Sequence, residues 1–115
     1  MRLRTDIFIA ALIRRAAASG AFATLVRRGA DEAGAIFVLV DRLDGAFDLF
    51  GPAPQSLLAE GPPGERLFAP LLAAAPEAEV SERMRRERDF DPDLWLVEIA
   101  DRDGRSFIEV ARDEE

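Results

Sequence analysis

Glu87, Asp89, Asp91 and Asp93 set four carboxylates on alternate positions within seven residues. Hard cations such as Mg²⁺ and Ca²⁺ take oxygen ligands, so Asp89, Asp91 and Asp93 have the donor chemistry of a metal-dependent hydrolase. The string does not follow a calcium loop. Counted from Asp89, Leu94 stands where such a loop needs glycine and Ala100 where it needs a bidentate glutamate. The competing role for Asp91 is to turn the backbone at a helix end, with Arg86 and Arg88 balancing the charge. No metal ligand is assigned.

Immediately upstream, Arg83, Arg85, Arg86 and Arg88 form a basic patch whose guanidinium forks suit phosphates or carboxylates, the chemistry of an anion or RNA binder. Glu79 with Arg83 and Glu82 with Arg86 have the four-residue, acid-first spacing of helical ion pairs, which would neutralise the patch from within. Downstream, Trp95 shares a strand parity with Val97 and Ile99, where a large aromatic anchors a core; exposed, it would anchor an interface. Asp91, Asp93, Trp95, Arg85 and Arg86 are therefore the candidate interaction residues.

The rest of the inventory restricts the chemistry. The chain has no His, Cys, Tyr, Lys or Asn. It thus lacks the usual base poised near neutral pH, the thiolate nucleophile, the amine for a Schiff base and the soft metal ligands. Ser19, Ser56, Ser81 and Ser106 have neither histidine nor lysine to activate them, and none sits in a nucleophile elbow. Gly-x-Gly-x-x-Gly and Walker motifs are missing too. No catalytic residue and no cofactor is assigned.

All 15 positive charges are arginine, against 22 acids, for a net charge of -7. That balance argues against nucleic acid as a partner, because sequence-independent binding needs net attraction to phosphates. The charge is unevenly spread: residues 1–50 carry seven Arg and six acids, and residues 51–115 carry eight Arg and sixteen acids. At 49% hydrophobic and 32% charged, the composition is that of a globular chain, and residues 1–115 are expected to form a single domain.

The elements that must position these groups follow from periodicity and punctuation. Thr5 as N-cap, Asp6 in the first turn and Gly20 as a left-handed stop predict a helix over 6–19. Its run from Ile7 to Ile13 is apolar on nearly every face, so packing on more than one side is expected. Phe22 to Arg28 and Ala35 to Val40 read as a hairpin closed between Gly29 and Gly34. The turn at Leu43-Asp44-Gly45 leads into a third strand at Phe47 to Phe50, completing an antiparallel meander. The segment 51–64 holds four of the seven prolines and reads as a surface loop, with Leu57 and Leu58 pinning it to the core.

Arg66 to Leu72 is a short strand or turn of helix, and Pro76 at the first helical position opens a second helix over 76–89. Asp91-Pro92-Asp93 ends it. Leu94 to Ala100 is a buried strand that Asp103-Gly104 turns into a partner at Ser106 to Ala111, before an acidic end at Asp113, Glu114 and Glu115. The fold class expected is α+β, a largely antiparallel sheet of about five strands with two helices. The Ile7 to Ile13 run falls short of the about 20 residues that span a bilayer, so no membrane partner is expected. Arg2, Arg4 and Ala16 to Ala18 outline a signal peptide, but Asp6 and the Arg14-Arg15 pair break it, and a cytoplasmic location is expected.

Arg4-Thr5-Asp6-Ile7-Phe8 with Ala11-Leu12, Arg27-Arg28-Gly29 with Ala33-Gly34, Gly64-Glu65-Arg66 and above all Phe90-Asp91-Pro92-Asp93-Leu94-Trp95 occur in an order that resembles a small bacterial family, domain of unknown function 1491. The resemblance spans nearly the whole chain and implies no activity, ligand or catalytic residue. The reading from the residues is a small non-enzymatic protein-binding or adaptor module, whose partner is another protein or, in a homodimer, a second copy. The alternatives are the metal-dependent hydrolase on the clustered aspartates and the anion or RNA binder through Arg83 to Arg88.

Overall fold

The computed structural model describes residues 4–31, 34–54 and 66–111; Leu57, Leu58 and the acidic end from Asp113 lie outside them. Helix α1 runs Thr5–Ala18 and ends in a Schellman motif. The Ala21 amide donates to the Ala16 carbonyl (3.0 Å) and the Gly20 amide to that of Ala17 (3.1 Å), with Gly20 at φ 91°. Its start differs from expectation. Thr5 is the first helical residue rather than the cap, because its buried hydroxyl turns inward and accepts a hydrogen bond from Arg66 (3.3 Å).

Five strands form one sheet: β1 (Phe22–Arg27), β2 (Ile36–Asp41), β3 (Phe47–Pro52), β4 (Phe68–Ala75) and β5 (Trp95–Ala100). Helix α2 (Glu77–Phe90) joins β4 to β5. Pro76 stands one position before this helix, in the cap, where its carbonyl accepts the amides of Glu79 (3.1 Å) and Val80 (3.2 Å). The order β1-β5-β2-β3-β4 is mixed but mostly antiparallel, so the fold is α+β as the pattern implied. Three pairs run antiparallel and β2 with β5 runs parallel.

That order corrects two expected pairings. β1 and β2 are not a hairpin, because β5 lies between them, antiparallel to β1 and parallel to β2. The connection across 28–35 is long enough to straddle one strand, a span of about 10 Å. The segment after Gly104 does turn, but it does not return along β5. It crosses to the far edge of the sheet instead, where Phe68 bridges Val110, the Phe68 amide donates to Glu109 (3.0 Å) and the Ala111 amide to Phe68 (2.7 Å). β3 also continues through Gly51 and Pro52, two residues into the segment read as loop.

Each central strand is buried on both faces, which is why β2 reads as an unbroken apolar run. Ile36, Val38 and Val40 of β2 meet Trp95, Val97 and Ile99 of β5 under Ile9, Leu12 and Ala16 of α1. Phe37 and Leu39 face the other way with Leu96, against Val80 and Met84 of α2. Helix α1 buries only one stripe: Ile7 and Ala10 are exposed, contrary to the packing on several sides expected of its apolar run. No helix among the described residues is long and apolar enough to cross a membrane.

Two buried carboxylates hold the sheet's irregular places. Asp48 accepts Arg42 Nε (2.8 Å) and the amide of Ala74 (2.8 Å), where the β3–β4 register shifts and Ala74 takes φ 49°. Asp101 accepts the amide (2.8 Å), Nε (2.9 Å) and a terminal nitrogen (2.9 Å) of Arg105. These bonds from the guanidinium, and then from the amide, hold the Asp101 carboxyl down at about 2. A carboxylate depressed on folding contributes stability that is full above its unfolded value near 4 and is lost as pH falls through its folded value. In thermal denaturation across acid pH, the advantage of the wild type over Asp101→Asn should therefore be constant above about pH 4 and shrink as pH falls to about 2.

Gly29 and Gly34 flank the β5 entrance so closely that a Cβ on either would overlap the Asp93 carbonyl oxygen and press on the Trp95 ring. Gly34→Ala should cost about 3 kcal/mol, as overpacking of a tight site does. Gly20→Ala, with open space but a positive φ, should cost about 1–2 kcal/mol. Denaturant titration of both variants checks the order.

Candidate functional site

The Asp91 to Trp95 string sits where α2 hands over to β5, and its polar atoms are largely engaged in joining distant backbone. Asp91 is the C-cap of α2. One of its carboxylate oxygens accepts the Asp93 amide (3.0 Å) and the other the amide of Ala35 (3.4 Å), just before β2. The Asp93 carbonyl accepts the Ala30 amide (3.0 Å). Trp95 is 1% exposed; its indole N–H donates to the Ala30 carbonyl (2.7 Å) and its amide to that of Ala35 (2.7 Å). The Arg28 guanidinium lies 4.9 Å from the ring centroid. Asp91 and Trp95 thus fasten the 28–35 connection over the start of β5, and Asp93 keeps only its side chain exposed.

Three of the four arginines of α2, Arg83, Arg85 and Arg86, are paired along the helix. Arg85 bonds Glu82 (2.7 Å) and Asp89 (3.1 Å), and Arg86 lies 3.9 Å from Glu82, the second of the two expected pairs. Arg83 takes Glu87 (2.8 Å) rather than Glu79, on the C-terminal side where the helix continues. Asp89 is drawn to Arg85 and Asp91 to backbone amides, so the aspartates do not converge. Among the described residues no group of three carboxylates is arranged to share a cation.

Between α2 and the sheet runs a groove of about 520 Å³. Leu39, Leu96 and Met84 give it an apolar floor, Asp41, Glu77 and Glu98 lie toward one end, and Arg88 lies toward the other. Eleven residues of helix separate Glu77 from Arg88, about 16 Å of rise. Burial, and then the negative charges of Asp41 and Glu77, push the Glu98 carboxyl above its usual range. No sequence motif marks Glu98; its only signal is a charge interrupting an apolar strand.

What sequence reasoning could not assign is which strand edge stays open; it is the outer edge of β1. Among the described residues the strand is paired on one side only, and its burial pattern is open along nearly its whole length. Phe22 is 81% exposed, Val26 51% and Leu25 36%. Val26 is the extra residue of a bulge, since Leu25 pairs with Val97 and Arg27 with Leu96. No charged residue occurs from Ala16 through Val26. The opposite edge is protected: β4 contains Pro70, and the 109–111 segment bonds to Phe68 beside it. The signal in the sequence was the apolar character of both parities in Phe22-Ala23-Thr24-Leu25-Val26, which a two-stranded hairpin with one wet face does not require.

Comparison with known proteins places the whole arrangement. The crystal structure of a DUF1491 family protein from Caulobacter crescentus CB15 is 42% identical, covers 97% of this chain and 100% of its own, and superposes with a TM-score of 0.79. The solution structure of protein Atu0922 from A. tumefaciens is 40% identical over 100% of this chain and 99% of its own, with a TM-score of 0.84. An NMR structure of a DUF1491 family protein from C. crescentus CB15 is 43% identical over 97% and 99%, with a TM-score of 0.78. No curated protein matches. The family model described as "Protein of unknown function (DUF1491)" matches residues 3–109. With its motif order, its sheet and these likenesses in agreement, the chain belongs to the DUF1491 family.

Proposed function

We propose that the chain is a non-enzymatic protein-binding module of the cytoplasm that engages its partner through the open edge of β1. The observation that carries this reading is the difference between the two edges of the sheet. An unpaired strand presents a row of amides and carbonyls to any extended chain, and proteins ordinarily blunt such edges with charge, proline, a bulge or a covering segment. The β4 edge has proline and a covering segment; among the described residues β1 has neither, its one protective device is the bulge at Val26 near its end, and it exposes a phenylalanine and a valine.

Strand addition supplies affinity through main-chain hydrogen bonds and selectivity through alternate side chains. Phe22, Thr24 and Val26 would be read on one face and Ala23 and Leu25 on the other. The reading also draws on the inventory: carboxylates and guanidinium groups suit recognition, and Arg83, Arg85 and Arg86 of α2 are already paired with neighbouring acids.

A photo-crosslinking side chain placed at Val26 in living cells should give one discrete adduct, and the same group at Arg86 on α2 should give none. An adduct at Arg86 with none at Val26 would move the interaction to the helix and overturn the edge reading.

A further inference from the structure

We infer that the occupant of the β1 edge is a second copy of this chain, paired antiparallel about a two-fold axis through Thr24, an inference that rests on the edge reading above. In an antiparallel pair, residues directly opposite share a face of the sheet. A two-fold on Thr24 sets Thr24 against its own counterpart and Ala23 against Leu25 of the partner subunit, and brings Phe22 alongside Val26 of the partner subunit, the bulge residue that ends the regular ladder. These are a Thr–Thr pair, an apolar pair on the α1 face, and an aromatic set on a β-branched residue, the cross-strand combinations that stabilise sheets. Moving the axis by one residue either way shortens the apolar ladder or brings Arg27 opposite Ala23. The edge is thus complementary to itself in one register.

The distribution of charge allows the same contact. The chain carries a net charge of -7, which opposes self-association over most of its surface. From Ile7 to Ala30 there is no acid, and the charges present are Arg14, Arg15, Arg27 and Arg28. In this register Arg27 and its counterpart stand at opposite ends of the ladder, about 20 Å apart, beyond the screening length at physiological salt.

A five-residue ladder alone is small against the about 1,200 Å² that a stable interface buries. Helix α1 supplies a second layer. Its Phe8 stacks on Phe68 and its Arg15 donates to the Phe107 carbonyl, so that flank faces the β4 side. The opposite flank, toward β1, carries Ala10, Ile13 and Ala17, of which Ala10 and Ala17 are exposed. Small side chains there let the partner's α1 approach closely above the joined strands.

The chain has no cysteine, so a single engineered thiol reports the axis directly. Across a concentration series, light scattering on the purified chain should approach twice 12.7 kDa. Mild oxidation should convert most Thr24→Cys protein into a disulfide-linked dimer on a non-reducing denaturing gel and leave Arg86→Cys uncrosslinked. The double variant Phe22→Glu, Val26→Glu should keep the circular dichroism of the wild type and raise the dimer dissociation constant at least tenfold. A chain monomeric throughout, with Thr24→Cys crosslinking no better than Arg86→Cys, overturns the second copy. If Val26 still gives a discrete adduct in cells, the edge reading survives with a different partner; if it gives none, both fall.

Discussion

The carbonyl of Asp93, held between Gly29 and Gly34, is the contact on which the sheet depends. Only residues without a Cβ let the backbone of the 28–35 connection pass so close to the start of β5. Around that crossing, the Ala30 amide, the Ala30 and Ala35 carbonyls and the Asp91 carboxylate stitch three separate stretches of chain together. The Trp95 ring fills the space below and carries Arg28 on its face. The tie admits β5 between β1 and β2 and turns what would be a hairpin into two flanks of a central strand. Everything downstream, the two-sided burial of β2 and β5 and the unpaired outer side of β1, follows from it.

Local structure was legible because local physics decides it. Gly20 stops α1, Asp91-Pro92 stops α2, Asp44-Gly45 closes the β2–β3 turn, and the apolar run at Ile36 to Val40 is a strand buried on both sides. The class, α+β with a mostly antiparallel sheet, came from that order of elements. Partner choice was not legible. A connection of a few residues makes a hairpin the default, and nothing in Phe22 to Val40 announces a strand arriving from position 95. For the same reason the segment after Gly104 was paired with its nearest neighbour rather than with Phe68. The candidate residues at 91 to 95 were visible as a string, but their backbone partners at 30 and 35 lie some sixty residues away.

Charge in this molecule is used in two ways. Asp48 and Asp101 are almost fully buried, and each is bound by an arginine and a backbone amide, so the cost of taking a carboxylate from water is offset by charge-assisted bonds. On α2 the pairs of Arg85 and Arg86 are exposed and that of Arg83 with Glu87 is half-buried, and exposed pairs of this kind contribute little to stability. Their effect is to leave the helix without strong net attraction for anions. Glu98 stands apart, half-buried in the central strand with like charges nearby and a carboxyl displaced upward.

The place of β5 has a consequence for how the chain reaches its native state. The strand second in the sheet is the last of the five to leave the ribosome. Until it is made, β1 has no ladder to join and β2 is bordered on one side only, so the sheet cannot close progressively from its N-terminus. Joining β2 to β5 in parallel closes a loop of more than fifty residues before any of that pairing is gained. Such high contact order makes assembly slow, and over that interval Phe37, Leu39 and their neighbours are open to the aggregation that nascent chains must avoid.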